Sequence, residues 1–134
     1  MAQISNMPRK IGEWINMELH NAQLYRVLAR SAPNDREKHI LEDFSDDSQD
    51  TAETLMRIYK KMTGYRFEPK PVPLKENGSY RNVIRSRIGE EIRLSKMYRN
   101  AYMNMQDNFA LRRTIFNAYH TCLEHAVTLL EMSG

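Results

Sequence analysis

Cysteine is nearly missing from this chain: of its 134 residues only Cys122 carries a thiol. No disulfide can form within the chain, and a reducing, cytoplasmic setting is expected. Long apolar runs are missing too. Nothing approaches the ~18 consecutive apolar residues of a membrane span, and the opening MAQISNMPRK has no apolar stretch behind its basic residues, unlike a secretory signal. No membrane association is expected. Glycine is sparse, with five residues and no phosphate-cradling loop among them, and neither the serines nor Cys122 sit in a nucleophile signature. Charge of one sign is also lacking. Twenty basic residues against 17 acidic give +3, and the one local patch, Arg81, Arg85 and Arg87, is followed at once by Glu90 and Glu91. No nucleic-acid-binding motif accompanies it, so nucleic acid is not an expected partner.

What is present fits one soluble globular domain over residues 1–134, 28% charged and 41% hydrophobic. Proline and glycine punctuate it into four helical stretches. The first is predicted over about residues 8–31, opening at Pro8, which suits a first turn, and stopping before Pro33. The second is predicted over about 35–63, capped by Asn34 or Asp35 and ended by Gly64. Pro69, Pro71 and Pro73 make 65–79 an extended connection. The third helix is predicted over about 79–107 and the fourth over about 108–132, with Gln106-Asp107-Asn108 as the break.

The short links make antiparallel hairpins of helices one and two and of helices three and four. The proline-rich link of about 15 residues reaches roughly 45 Å when extended, more than the roughly 38 Å of a helix of about 25 residues. It can cross the length of a bundle. The expected fold is therefore all-α: a four-helix bundle of two antiparallel hairpins joined by one long crossover, the ferritin-like arrangement.

An internal repeat runs through these helices. The seam of the first reads Ile11, Ile15, Glu18, Ala22, Tyr25 and Ala29; a shift of 73 gives Ile84, Ile88, Glu91, Ser95, Tyr98 and Tyr102 in the third. The second helix reads Leu41, Phe44, Ser48, Thr51, Leu55, Ile58 and Met62; a shift of 74 gives Ile115, Ala118, Cys122, His125, Leu129 and Met132 in the fourth. Each half places polar residues at one depth of its inner face. A carboxylate in an apolar seam costs several kcal/mol unless paired, protonated or bound to a cation. Glu18 and Glu91 each require a partner. If the halves pack about a two-fold axis, Glu18, Ser48, Thr51, Glu91, Cys122 and His125 converge on one site.

Glu18-x6-Tyr25 and Glu91-x6-Tyr98, with Phe44-Ser-Asp-Asp-Ser-Gln-Asp-Thr-Ala-Glu53 and Ile58-Tyr-Lys-Lys-Met-Thr-Gly64, resemble the rubrerythrin branch of the ferritin-like proteins over nearly the whole chain. The resemblance implies one Glu from the first helix of each half and a Glu-x-x-His pair from the second, together holding a di-iron centre that acts on oxygen or peroxide. This chain departs from that pattern. The second helix has Ser48-Gln-Asp-Thr51 and the fourth Cys122-Leu-Glu-His125, so both bridging glutamates and one histidine are absent. Of the six ligands the family would supply, Glu18, Glu91 and His125 remain, and no rubredoxin-like Cys-x-x-Cys accompanies them.

Three functions follow in order of preference. The first is a non-catalytic scaffold or interaction protein without cofactor, in which Glu18, Glu91 and His125 hydrogen-bond one another; a homodimer is expected, burying the Trp14 side of the first helix. The second is a mononuclear protein in which Glu91, Cys122 and His125, with Glu18 as a fourth donor, hold one zinc or iron ion. The third is a residual peroxide or oxygen oxidoreductase. Asp47 and Glu124 are adjacent substitute donors, although Asp43, Asp46, Asp47 and Asp50 read as a solvated acidic face. His20, His39 and His120 fall off the inner stripes and are expected at the surface or at an interface.

Overall fold

The computed structural model describes residues 2–75 and 78–134, the side chains of the first five residues excepted. Among the described residues there are four helices and no strand: α1 (Ala2–Arg30), α2 (Asp35–Thr63), α3 (Tyr80–Met103) and α4 (Phe109–Ser133). By contacts, the chain divides into two compact units, Met1–Arg30 with His39–Leu74 and Ser31–Lys38 with Lys75–Gly134.

The helix ends follow local hydrogen-bond chemistry. Asn34 Oδ1 accepts the Glu37 amide at 2.9 Å and caps α2. Gly64, at φ +77°, terminates it by donating its amide to the Lys60 carbonyl at 2.8 Å. Ser79 is the cap of α3, its side chain accepting the Asn82 amide. Two predicted boundaries move. α1 begins at Ala2, with Pro8 inside it; a proline this near a helix end removes one hydrogen bond where few are made, so the helix runs through. α3 stops at Met103, four residues before the expected end, because Asn104 caps it, while Asn108 Oδ1 accepts the Leu111 amide at 3.0 Å and starts α4.

In the first unit the predicted seams are the buried faces. Ile11, Ile15, Glu18, Ala22, Tyr25 and Ala29 of α1 are all buried, as are Leu41, Phe44, Ser48, Leu55 and Ile58 of α2; Met62 ends that stripe exposed. The helices are tied by Ser45 Oγ, which donates to the Ala22 carbonyl at 2.7 Å, and by an edge-to-face pair of Tyr25 with Phe44. Trp14 is only 6% exposed within the single chain, so its burial requires no second copy. Trp14 lies one step round from the seam, still within the wide apolar face of a core helix.

The proline-rich connection is strapped onto α1. The Lys70 amide donates to Asn16 Oδ1 at 2.9 Å, and the Phe67 ring packs edge-on to Tyr59 and against Gly12, where an added Cβ would lie 2.8 Å from Phe67 Cε1. Beside this strap is a cavity of about 180 Å³ lined by Asn16, His20, Gln23 and Lys70 among others. His20 is accordingly half-buried, with Nδ1 shielded from solvent, whereas His39 and His120 are exposed.

In the second unit α3 packs on α4. The start of α3 meets the end of α4, where Arg81 donates to the Met132 carbonyl at 2.7 Å, and the end of α3 meets the start of α4, where Tyr102 lies 5.3 Å from Phe116. Ile84, Glu91, Ser95 and Tyr98 are buried on one helix and Ile115, Ala118, Cys122, His125, Leu129 and Met132 on the other.

Candidate functional site

Glu91 lies on the inner stripe of α3 and His125 on that of α4, 2% and 3% exposed. The packing of those stripes brings them together, with His125 Nδ1 3.5 Å from Glu91 Oε2. An ionised carboxylate only accepts, so beside ionised Glu91 the hydrogen of the imidazole sits on Nδ1.

A third group joins this cluster. Arg87, one turn before Glu91 on α3, is buried, and its Nη2 lies 3.4 Å from the same Oε2. Guanidinium is always charged and desolvates more readily than ammonium, so it can accompany a carboxylate into a core where lysine would resist. Both contacts are longer than the ~2.8 Å of a tight charge-assisted hydrogen bond. Their contribution is therefore mainly the electrostatic balance of a buried charge.

Sequence reasoning placed Arg87 in an exposed basic patch, and the structure dissolves that patch. Arg85 is exposed, Arg87 is buried on Glu91, and Arg81 bonds the Met132 carbonyl and Glu37. The signal was available, since arginine four residues before a seam glutamate shares its helix face.

Cys122 is buried three residues before His125 on α4. Among the described residues no three His, Cys, Asp or Glu side chains form a group that could hold a metal ion. Glu18 is buried on α1 in the first unit, as is Ser48 on α2, while the Thr51 hydroxyl donates to the Asp47 carbonyl of its own helix at 3.1 Å. Asp47 and Glu124 are both exposed, as are Asp43, Asp46 and Asp50, so the acidic face of α2 is solvated.

A second polar cluster in the same unit had no counterpart in the sequence reading. Glu37 accepts hydrogen bonds from Tyr80 Oη at 2.7 Å and Arg81 at 3.3 Å, and its amide is the one received by Asn34. Burial raises the Glu37 carboxyl, but the Tyr80 hydrogen bond, the charge of Arg81 and the Asn34 contact outweigh it and hold the pKa below its ordinary 4.5. The Tyr80 phenol is driven upward, first by burial and then by the carboxylate it donates to. The joint is structural, fastening the first turn of α2 to the start of α3.

Comparison with family models, with characterised proteins and with solved structures gives no match to this chain.

Proposed function

We propose that the chain is a ferritin-like four-helix scaffold, two antiparallel hairpins joined by a long crossover, that works as a non-catalytic interaction or assembly protein in homodimeric form. The observation that carries this reading is Arg87 on Glu91. In proteins that this sequence resembles, the equivalent carboxylate is neutralised by metal; here an arginine from the same helix turn supplies the positive charge. A cation bound at Glu91 and His125 would sit beside a permanent guanidinium charge in a poorly solvated site, where repulsion is strong. The donor set is therefore unsuited to a metal ion, and no oxygen or peroxide chemistry is derived through it.

Elemental analysis tests this on untagged protein from metal-supplemented medium after size exclusion. The expected result is no stoichiometric metal. About one zinc or iron per chain would overturn the reading in favour of a mononuclear protein, with loss of the metal in His125→Ala implicating that imidazole. About two irons, with iron-dependent peroxide consumption, would establish an oxidoreductase instead.

A further inference from the structure

The outer face of α4 carries a pattern that the buried clusters do not use. Phe109, Phe116, Val127 and Leu130 are 80%, 41%, 58% and 60% exposed, an unusual concentration of large apolar side chains on a solvent-facing helix. Phe109, Phe116, Leu123 and Leu130 recur every seven residues, and Arg113, His120 and Val127 recur at the same interval four residues further on. This alternating four-and-three spacing is the seam of a two-helix coiled coil. It lies on the opposite side of α4 from Ile115, Ala118, Cys122, His125 and Leu129, which are buried.

Phe116 is already oriented, its ring 5.3 Å from Tyr102 and 4.6 Å from His120. An aromatic anchor held before binding loses little freedom on association.

We infer that this face is a self-association surface, on which α4 of a second copy lies antiparallel to the first. The charges select both occupant and direction. Arg112 and Arg113 lie at the start of the helix, Glu124 and Glu131 toward its end. Arg113 and Glu131 are 18 positions apart, five helical turns, and so stand on one flank of the stripe. In an antiparallel pair equal flanks face each other, so Arg113 of each copy meets Glu131 of the other, twice by symmetry. In the same register Phe116 stacks over Val127 and His120 over Leu123. A parallel pair would place arginine beside arginine.

The seam from Phe109 to Leu130 is about 32 Å long at ~1.5 Å per residue, and at the ~10 Å width of a helix it offers on the order of 500 Å² per copy once side-chain relief is included. This is below the ~800 Å² per partner of a standard interface, which suits a reversible dimer that salt weakens.

The surface rests on the scaffold reading and specifies the interface of its homodimer: metal content decides whether the scaffold is metal-free, and association decides this surface together with the homodimeric form. Sedimentation equilibrium of the full chain over roughly 1–200 µM should show monomer passing to dimer. Val127→Glu should weaken association by at least about tenfold. Arg113→Glu and Glu131→Arg should each weaken it several-fold, whereas the double variant, which restores opposite charges across the interface, should return it close to the starting value. Circular dichroism of each variant separates lost association from lost folding. A chain monomeric throughout that range would overturn the inference and leave the face to a different protein. A dimer indifferent to Val127→Glu would place the interface elsewhere, and a double variant no better than the singles would exclude the antiparallel register.

Discussion

Removing the cation from the Arg87–Glu91–His125 cluster should destabilise the fold far more than removing cation and carboxylate together. At 3.4 Å, with both side chains under a tenth exposed, the gross attraction is about 5 kcal/mol for an effective dielectric constant of ~20. Desolvation of both ions offsets most of that, so the net value of the intact pair is small. Arg87→Met keeps the length and apolar stem of the side chain but removes the guanidinium from beside a buried carboxylate, a loss of about 3–5 kcal/mol. Glu91→Gln takes the carboxylate from beside the buried guanidinium and should cost about 2–4 kcal/mol, while Arg87→Met/Glu91→Gln, which removes both charges of the pair, should cost only about 1–2 kcal/mol. The coupling read from the cycle is then about 3 kcal/mol or more. Urea unfolding of the four proteins, followed by circular dichroism at neutral pH, measures it. Additive effects, with coupling under about 0.5 kcal/mol, would refute the argument that Arg87 is the counter-charge of Glu91, and with it the basis of the metal-free reading.

Two further outcomes follow from the fastenings outside that cluster. Glu37 is held below its ordinary 4.5 in the folded protein, so its contribution is fully present above that value and is lost as pH falls through the folded pKa. The destabilisation caused by Glu37→Gln, taken from thermal unfolding, should be largest near about pH 7 and shrink steadily below about pH 4.5; a difference unchanged by pH would contradict it. Gly12→Ala should favour helix by up to about 1 kcal/mol, yet its methyl would lie 2.8 Å from Phe67 Cε1 and must displace the ring. Tryptic cleavage after exposed Arg66 should accelerate with helical signal undiminished, and cleavage at the unaltered rate would show that Phe67 does not anchor the strap.

The helices were legible in the sequence because each signal was local. Asn34, Gly64, Ser79 and the alternate prolines act on the backbone within a few residues, and seam periodicity then identified the buried face of every helix from Ile11 to Met132. The boundaries that moved, at Pro8 and at Asn104, are those where a residue permitted two outcomes and the helix's own hydrogen bonding selected one. In the candidate site, burial of Glu18, Glu91, Cys122 and His125 and the Glu91–His125 contact were readable from spacing. The buried Arg87 was not read, because arginine is so commonly exposed that its neighbours Arg81 and Arg85 suggested a surface patch. The Glu37–Tyr80–Arg81 joint had no periodic signal at all: its partners are more than 40 residues apart, and tertiary packing alone brings them together.

The repeat explains why Arg87 matters. Shifted by 73, Arg87 falls on Trp14, just as Glu91 falls on Glu18, and both members of the earlier position are buried, at 7% and 6% exposed. One structural slot, a turn before the seam glutamate, thus holds a cation in one half and a large apolar ring in the other. The opposing helix differs in the same sense, with Cys122 and His125 where the first half has Ser48 and Thr51. A symmetric di-metal site needs like donors from each half, whereas these substitutions give the two glutamates unlike surroundings. In the second half an arginine and an imidazole of the same hairpin lie beside the carboxylate. The substitutions leave in place the buried stripes and helix ends that specify the fold. On the scaffold reading proposed above, function is sought at surfaces such as the outer face of α4.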